Sequence, residues 1–153
     1  MTAYYMDNYT KAEITKPSGK YPKGEMKGRR KVIVDRFTLV DTAGTAGLNV
    51  NDQIFGMKVP TDSLILNVKA HINKSLGATG IFEIGKSSNA DAYIGSIDGG
   101  GQAAFTEMND VATEPGIYER ITDETQIIVN CTEVMDDSVL DAVLTIEVEY
   151  VND

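Results

Sequence analysis

Hydrophobic and polar residues alternate along much of the chain with the period of two that is typical of β-strands. The clearest run is Leu64–Ile72, in which leucine, valine, alanine or isoleucine occupies every second position. Leu144–Tyr150 alternates in the same way. Alternation of this kind places one face of a strand in a core and the other face toward solvent. Both segments are therefore predicted to be half-buried strands.

Six further segments are rich in β-branched and aromatic residues and are predicted to be strands as well. They are Lys31–Val40, Ile54–Val59, Gly80–Gly85, Ala92–Ile97, Ile117–Ile121 and Gln126–Thr132. Turn-forming residues separate them. Eight short strands at this spacing predict an all-β protein, built as a sandwich or a barrel. Gln102–Asp110 and Asp136–Ala142 lack a long helical period, and each is predicted to form at most a turn or two of helix.

Charge divides the chain into two parts. The 153 residues carry 14 basic and 23 acidic side chains, a formal net charge of -9. Residues 1–31 hold eight of the basic and three of the acidic residues, a net charge of +5, which leaves -14 for the remainder. This first segment is also interrupted by prolines and glycines, which break regular structure. We therefore predict an extended basic N-terminal arm at residues 1–31 and one β-sandwich domain at residues 32–153.

The arm is the predicted binding segment. Aromatic side chains are favoured at interface cores, and basic side chains can pair with an acidic surface. The predicted partner-binding residues are Tyr4, Tyr5, Tyr9, Lys11, Lys16, Lys20, Tyr21, Lys23, Lys27, Arg29, Arg30 and Lys31. Such an arm could bind the acidic body of its own chain, a neighbouring subunit or nucleic acid. Nucleic acid is disfavoured because its phosphates would repel the acidic body.

Few residues in this sequence suit catalysis or metal binding. The single histidine, His71, excludes sites with two imidazoles, and the single cysteine, Cys131, excludes an intramolecular disulfide. His71 is predicted to be a surface or interface residue, and Cys131 a small buried side chain. Loops at Asn49–Asp52 and Asp136–Asp141 offer oxygen ligands without the spacing of a helix–loop–helix calcium site, so solvated turns are preferred. We predict no catalytic residue, no bound metal, no cofactor and no enzymatic activity.

Two features of the body bear on binding. Thr145, Glu147 and Glu149 lie on one face of their predicted strand, and like charges there indicate solvent rather than a subunit interface, unless a basic partner covers them. The aromatic residues mostly occupy core-like strand positions, which argues against a sugar-binding platform. They are Phe37, Phe55, Phe82, Tyr93, Phe105, Tyr118 and Tyr150.

The order of strands and turns in the body carries a resemblance. The segment Gln53–Ile72 combines a proline turn with a long alternating strand, and it is followed by Gly80–Gly85 and Asp91–Gly95. Leu144–Val151 would be the closing strand. This arrangement, over roughly residues 31–151, resembles small structural proteins of tailed-phage virions. Among them it is similar to capsid decoration, or cement, proteins with an antiparallel, jelly-roll-like β-sandwich.

The resemblance implies a non-enzymatic bacteriophage virion protein that binds the outer face of an icosahedral head as a homo-oligomer, most often a homotrimer. Its body and arm would bridge capsid subunits, and its partner would be the major capsid protein or another virion protein, without nucleic acid or a membrane. The implied location is the capsid surface, after assembly in the host cytoplasm. Two alternatives stay open, namely a head–tail, tail or fibre component and a carbohydrate-binding β-sandwich.

Overall fold

The computed structural model describes residues 3–5, 30–38, 48–73, 80–98, 105–107, 119–133 and 142–152. These residues form ten strands and no helix. The strands are β1 (Ala3–Tyr5), β2 (Arg30–Thr38), β3 (Gln53–Val59), β4 (Ser63–Ile72), β5 (Ile81–Lys86), β6 (Asn89–Asp98), β7 (Phe105–Glu107), β8 (Arg120–Ile121), β9 (Thr125–Cys131) and β10 (Val143–Asn152).

The strands are arranged in two sheets. The first sheet has the order β1-β3-β9-β5-β6, and the second has the order β2-β10-β4-β7, with β8 also paired to β4. All the pairs are antiparallel except β1–β3, which is parallel. Contacts of β2 with β3 and of β6 with β7 show how the sheets are aligned. The prediction of an all-β sandwich is confirmed.

The hydrophobic core lies between the two sheets. From the second sheet, Ile65, Val68 and Ile72 of β4 are fully buried. From the first sheet, Phe82 of β5 and Tyr93 of β6 pack into the same cluster. Burial of apolar surface contributes about 25 cal/mol per Å² to folding, so this cluster is the main favourable term holding the sheets together.

Most predicted strands are present. Leu64–Ile72 and Leu144–Tyr150 correspond to β4 and β10. The other matches are 31–40 with β2, 54–59 with β3, 80–85 with β5, 92–97 with β6 and 126–132 with β9, with ends displaced by at most three residues; residues 39 and 40 lie outside the described part. Of the predicted strand at 117–121, the structure shows Arg120–Ile121, and residues 117 and 118 lie outside the described part.

The predicted helical turn within Gln102–Asp110 is wrong for its central residues. Phe105–Glu107 form β7, which pairs antiparallel with Lys69–His71 of β4. The edge of β4 offers backbone hydrogen-bonding groups to a passing segment, and Phe and Thr favour the extended conformation. The other predicted turn, Asp136–Ala142, lies outside the described residues except for Ala142, which is buried.

Candidate interaction surfaces

The structure places four of the predicted arm residues in strands. Tyr4 and Tyr5 belong to β1, and Arg30 and Lys31 begin β2. Strand β2 therefore starts two residues before the predicted boundary of the body. The remaining predicted residues lie outside the described part of the chain: Tyr9, Lys11, Lys16, Lys20, Tyr21, Lys23, Lys27 and Arg29.

The start of the arm contacts the body of its own chain. In the parallel pair β1–β3, Tyr4 is in register with Ile54 and Tyr5 with Phe55. Strand β1 thus extends the first sheet at the edge where β3 would otherwise lie. Residues 3–5 therefore bind the body of their own chain, which is one of the three partners considered for the arm.

The outer face of the second sheet pairs its acidic row with basic side chains. Lys69 of β4 lies between two carboxylates of β10, with its Nζ 3.6 Å from Glu147 and 3.5 Å from Glu149. Arg30 of β2 also forms an ion pair with Glu149. Glu149 is consequently only 8 % exposed. The expectation of a solvent-facing acidic row is wrong for Glu149, because basic residues of the two neighbouring strands cover it.

The outer face of β2 exposes apolar side chains, unlike the charged outer face of β10 beside it. Alternation along the strand places Arg30, Val32, Val34 and Arg36 outward, and Ile33 packs against the core. Val32 is 51 % and Val34 40 % exposed, although both are apolar. The sequence does not predict this exposed face, because Val32, Ile33 and Val34 form a continuous apolar run in which the outward side cannot be identified.

A polar cluster joins the two sheets at one end of the sandwich. Tyr93 of β6 donates a 2.9 Å hydrogen bond to Glu119 Oε2, and Lys86 of β5 forms an ion pair with Oε1. The main-chain carbonyl of Glu119 accepts a 2.9 Å hydrogen bond from Ile65 N of β4. Burial, the Glu119 charge and this hydrogen bond all raise the pKa of Tyr93, so the phenol stays protonated.

The start of β6 folds over the outer face of the first sheet. Asn130 of β9 accepts a 2.7 Å hydrogen bond from Gln53 Nε2 and donates one of 3.3 Å to the Ala90 carbonyl. A side chain at Gly85 would meet the carbonyl oxygens of Asn89 and Ala90 at 2.2 and 2.4 Å. The β5–β6 pairing therefore depends on a glycine at position 85, which permits this close approach.

Two carboxylates lie close together on the same hairpin. Glu83 of β5 is half-buried, and its pKa is raised by burial first and by the charge of Asp91 second. Neither has an ion-pair partner among the described residues. This side of the hairpin therefore concentrates negative charge.

The residues considered in the sequence for catalysis or metal binding have contacts that serve the fold. His71 is exposed, and Cys131 is 2 % exposed, with its thiol donating to the Glu133 carbonyl at 2.9 Å. Asn49 and Asp52 form a tight turn, in which Asn49 N donates to Asp52 Oδ2 at 3.0 Å and Asp52 N to Asn49 O at 3.0 Å. The predictions that His71 is exposed and Cys131 buried are confirmed. The Asp52 carboxylate stabilises its own turn by accepting the hydrogen bond from Asn49 N. Asp136–Asp141 lie outside the described residues.

A small cavity lies between the sheets near β2 and β3. It encloses about 10 Å³ and is lined by Asp35, Met57, Ile127 and neighbouring apolar residues. Such a volume holds about one water molecule, whereas small-molecule sites usually occupy several hundred cubic ångströms. Within the described ranges, no group of three or more histidine, cysteine or acidic residues is placed to hold a metal ion. No helix in those ranges is long and apolar enough to cross a membrane.

The aromatic residues are mostly used in the core. Phe82 and Tyr93 are at most 1 % exposed, Tyr150 is 7 % exposed, and Phe37 packs against the core. Phe55 is half-buried. The side chains of Phe105 and Tyr118 lie outside what the structure describes.

Comparison with known proteins identifies a shared fold. No protein-family model and no curated protein matches the sequence. A chain of the "Cyanophage Pam1 capsid asymmetric unit" superposes with a TM-score of 0.63 at 17% identity, covering 87% of this chain and 91% of that chain. A chain of the "Capsid of Ralstonia phage GP4" gives 0.66 at 12% identity, covering 86% and 90%. A chain of the "Acidic stable capsid structure of Helicobacter pylori bacteriophage KHP30" gives 0.52 at 9% identity, covering 82% and 90%. The protein therefore has the fold of these capsid chains.

Proposed function

We propose that the protein is a non-enzymatic structural protein of a phage virion, and specifically a capsid decoration, or cement, protein. One observation carries the proposal: the sandwich matches chains of three phage capsid structures over 82–87% of its own length and 90–91% of theirs. Because both shares are high, those chains are close to this one in size. A single domain of this architecture is thus a component of other phage capsids.

We infer further that the sandwich is a jelly roll. With the short strands β1 and β8 set aside, the first strand pairs with the last (β2–β10) and the second with the next to last (β3–β9). The third pairs with the sixth (β4–β7), and the two in the middle pair with each other (β5–β6). This nested pairing is what results when one long hairpin is rolled into two sheets. Jelly rolls are a recurrent architecture of viral capsid domains.

The proposed partner is the major capsid protein or another virion protein on the outer face of the head. The body would sit on the head surface, and the basic arm would reach neighbouring capsid subunits, so that one molecule bridges several. The arm has the length for this role, since the 24 residues between β1 and β2 could extend about 40 Å from the body and return, at roughly 3.3 Å each. We propose a homotrimer on the capsid surface, assembled in the host cytoplasm.

The use of ionisable groups supports a structural role. Glu147 and Glu149 are paired with cations of adjacent strands, and Glu119 links β5 and β6 to β4. Each of these contacts joins one strand to another, either directly or, for β4, β5 and β6, through Glu119. The charged residues with the clearest contacts therefore hold the sandwich together.

Binding to heads tests this function. Heads assembled from the major capsid protein alone are mixed with the purified protein and separated on a density gradient. We expect saturable co-sedimentation with a fixed number of copies per head. Co-sedimentation with isolated tails but not with heads would instead support a head–tail, tail or fibre component. Retention on immobilised glycans without binding to heads or tails would support a carbohydrate-binding module.

A further inference from the structure

The two sides of the sandwich carry opposite charge. Strand order and the β2–β3 and β6–β7 contacts place β2 at one side of the molecule and β6 at the other. Strand β2 contains three basic residues and one acidic residue. The β5–β6 hairpin, residues 81–98, contains three acidic residues and one basic residue. We call these sides the basic flank (Arg30, Val32, Val34 and Arg36) and the acidic flank (Glu83, Asp91 and Asp98).

The basic flank is suited to contact with protein. Val32 and Val34 are two of the three exposed large hydrophobic residues in the described ranges. They lie between two arginines, of which Arg30 is still 64% exposed in its ion pair with Glu149. Arg36 is exposed and has no ion-pair partner within those ranges. Arginine with exposed apolar neighbours is the composition that protein interfaces favour.

The acidic flank has complementary features. Its one basic residue, Lys86, is already paired with Glu119 and leaves the charge of Glu83 and Asp91 uncompensated. Asp98 is exposed and lies in register with Ile81, which is half-buried. A cation placed near Glu83 and Asp91 would relieve their mutual repulsion, which contributes to the raised pKa of Glu83.

We propose that the basic flank of one copy docks against the acidic flank of a second copy, head to tail. Each arginine would then approach carboxylates, and Val32 and Val34 would be removed from water. A two-fold contact between basic flanks is disfavoured, because antiparallel pairing about Ile33, the midpoint of this flank, would place Arg30 opposite Arg36 of the second copy. Contacts between two different surfaces generate rings or open chains according to the rotation between copies. This proposal does not depend on binding to a capsid.

Self-association of the purified full-length protein tests the proposal. Molar mass is measured by light scattering and sedimentation over a range of concentrations at low salt. We expect oligomers that dissociate as salt is raised. We expect Arg36→Glu and Asp91→Lys each to raise the dissociation constant at least about tenfold, since close interfacial charge pairs couple strongly. A wild-type protein that stays monomeric throughout would overturn the proposal.

A mixing experiment shows whether the variants weaken self-association through direct contact between the two flanks. Arg36→Glu places a carboxylate on the basic flank beside Arg30, whereas Asp91→Lys places a cation on the acidic flank, so a mixed contact restores a pair of opposite charges. We expect the two variants to associate with each other better than either does with itself. Equal weakness in the mixture would contradict direct contact between the flanks. Circular dichroism of each variant checks that the sandwich is intact.

A matched pair of valines tests the apolar part of the contact. Val32→Thr changes the basic flank, whereas Val50→Thr changes a residue of similar exposure, 47%, in the turn before β3. Val32→Thr should weaken association and Val50→Thr should leave it unchanged; equal effects would overturn the assignment of the contact to β2. Head binding is measured separately with the same variants, so failure of this proposal is distinguishable from failure of the capsid function.

Discussion

Glu119 contacts both sheets although it belongs to no strand. Its carboxylate is shared by Lys86 and Tyr93 of the first sheet, and its main-chain carbonyl is bound by Ile65 N of the second. A buried tyrosine hydroxyl needs such a partner, because an unpaired polar group in a core costs free energy. Tyr93 is only 1% exposed, so the hydrogen bond from its hydroxyl to Glu119 is a structural requirement of this end of the sandwich.

Removing the Tyr93 hydroxyl should destabilise the protein. Hydrogen bonds to charged groups contribute about 1.5–3 kcal/mol, and we expect Tyr93→Phe to lower the free energy of unfolding by about 1.5 kcal/mol, because Glu119 keeps its ion pair with Lys86. Urea denaturation measures this. Tyr150→Phe is the control, since Tyr150 is 7% exposed and its hydroxyl has no hydrogen-bond partner among the described residues. Similar losses in the two variants would show that the Tyr93–Glu119 bond contributes little.

Glu83 should give the protein a measurable pH dependence. Its pKa is raised in the folded chain by burial and by Asp91, so the folded state holds its proton to higher pH than the unfolded state. The contribution of Glu83 to the free energy of unfolding is therefore present below the ordinary glutamate pKa of about 4.3 and is lost as pH rises through the raised folded-state pKa. Glu83→Gln should make the pH dependence of the free energy of unfolding less steep. Urea denaturation at about pH 4 to about pH 7, a range chosen around the glutamate pKa, measures this slope.

The control for this titration is Glu124→Gln, which removes a carboxylate just before β9 and leaves Glu83 beside Asp91. Glu124 forms an ion pair with Lys58 at 3.1 Å. We expect this variant to retain the pH slope attributed to Glu83. A slope that is unchanged in Glu83→Gln would contradict the role assigned to that residue.

Residue-level predictions from the sequence succeeded where local pattern decides the outcome. The exposure of His71 and the burial of Cys131 follow from their positions in alternating or apolar strands. The covering of Glu149 was missed because its partners, Arg30 and Lys69, belong to strands that neighbour β10 in the sheet but are distant from it in the sequence. Alternation tells which face a side chain occupies only where the register is regular: in β4 a shift opposite Glu149 and Tyr150 buries Ile65 in place of Leu66. It also does not tell which residue lies opposite on the neighbouring strand.

At the level of elements, the sequence predicted the long strands with clear alternation and missed the short strands at the sheet edges. β4 and β10 were predicted nearly in full because their period is clear over many residues. β1 and β7, at three residues each, are too short to show a period. They are strands because the edges of β3 and β4 provide hydrogen-bonding partners, and the sequence alone does not show those edges.

The β5–β6 hairpin should be sensitive to a side chain at Gly85. The alanine Cβ would lie 2.2 Å from the Asn89 carbonyl oxygen, and backbone atoms cannot move away as a flexible side chain can. Overpacking of this kind costs about 1–3 kcal/mol, and we expect Gly85→Ala to fall within that range in urea denaturation. Ser87→Ala, an exposed change in the turn of the same hairpin, should have little effect. A neutral Gly85→Ala would mean that the start of β6 can move off the sheet.

At the level of the whole molecule, the nested strand pairing is the feature that sequence reasoning could least supply. β2 and β10 are at opposite ends of the described body, yet they pair over nine residues. Such pairings depend on three-dimensional packing rather than on local pattern. The charge division was visible in the sequence, but its arrangement on the molecule, with β2 basic on one flank and the β5–β6 hairpin acidic on the other, required the sheet order.

The arm can be tested by a truncation that respects the strand boundary. Removing residues 1–29 leaves Arg30 in place with its ion pair to Glu149. We expect this body to remain folded, because β1 adds three residues to one edge of the first sheet while the core lies between the sheets. Circular dichroism and urea denaturation check folding. Loss of a cooperative unfolding transition would show that the arm is part of the folded domain.

Binding of the truncated body to heads then measures what the arm contributes. If the arm bridges capsid subunits, the truncated body should bind more weakly than the full chain. We also expect Lys27, Arg29, Arg30 and Lys31 to supply a salt-sensitive part of the affinity, because exposed charge pairs are screened by salt. The full-length double variant Lys27→Gln/Arg29→Gln should therefore show weaker binding and a shallower salt dependence, whereas Lys58→Gln, a neutralisation in β3, should not. Truncated and full-length chains that bind equally well at every salt concentration would remove the arm from the binding mechanism and leave the body as the attachment site.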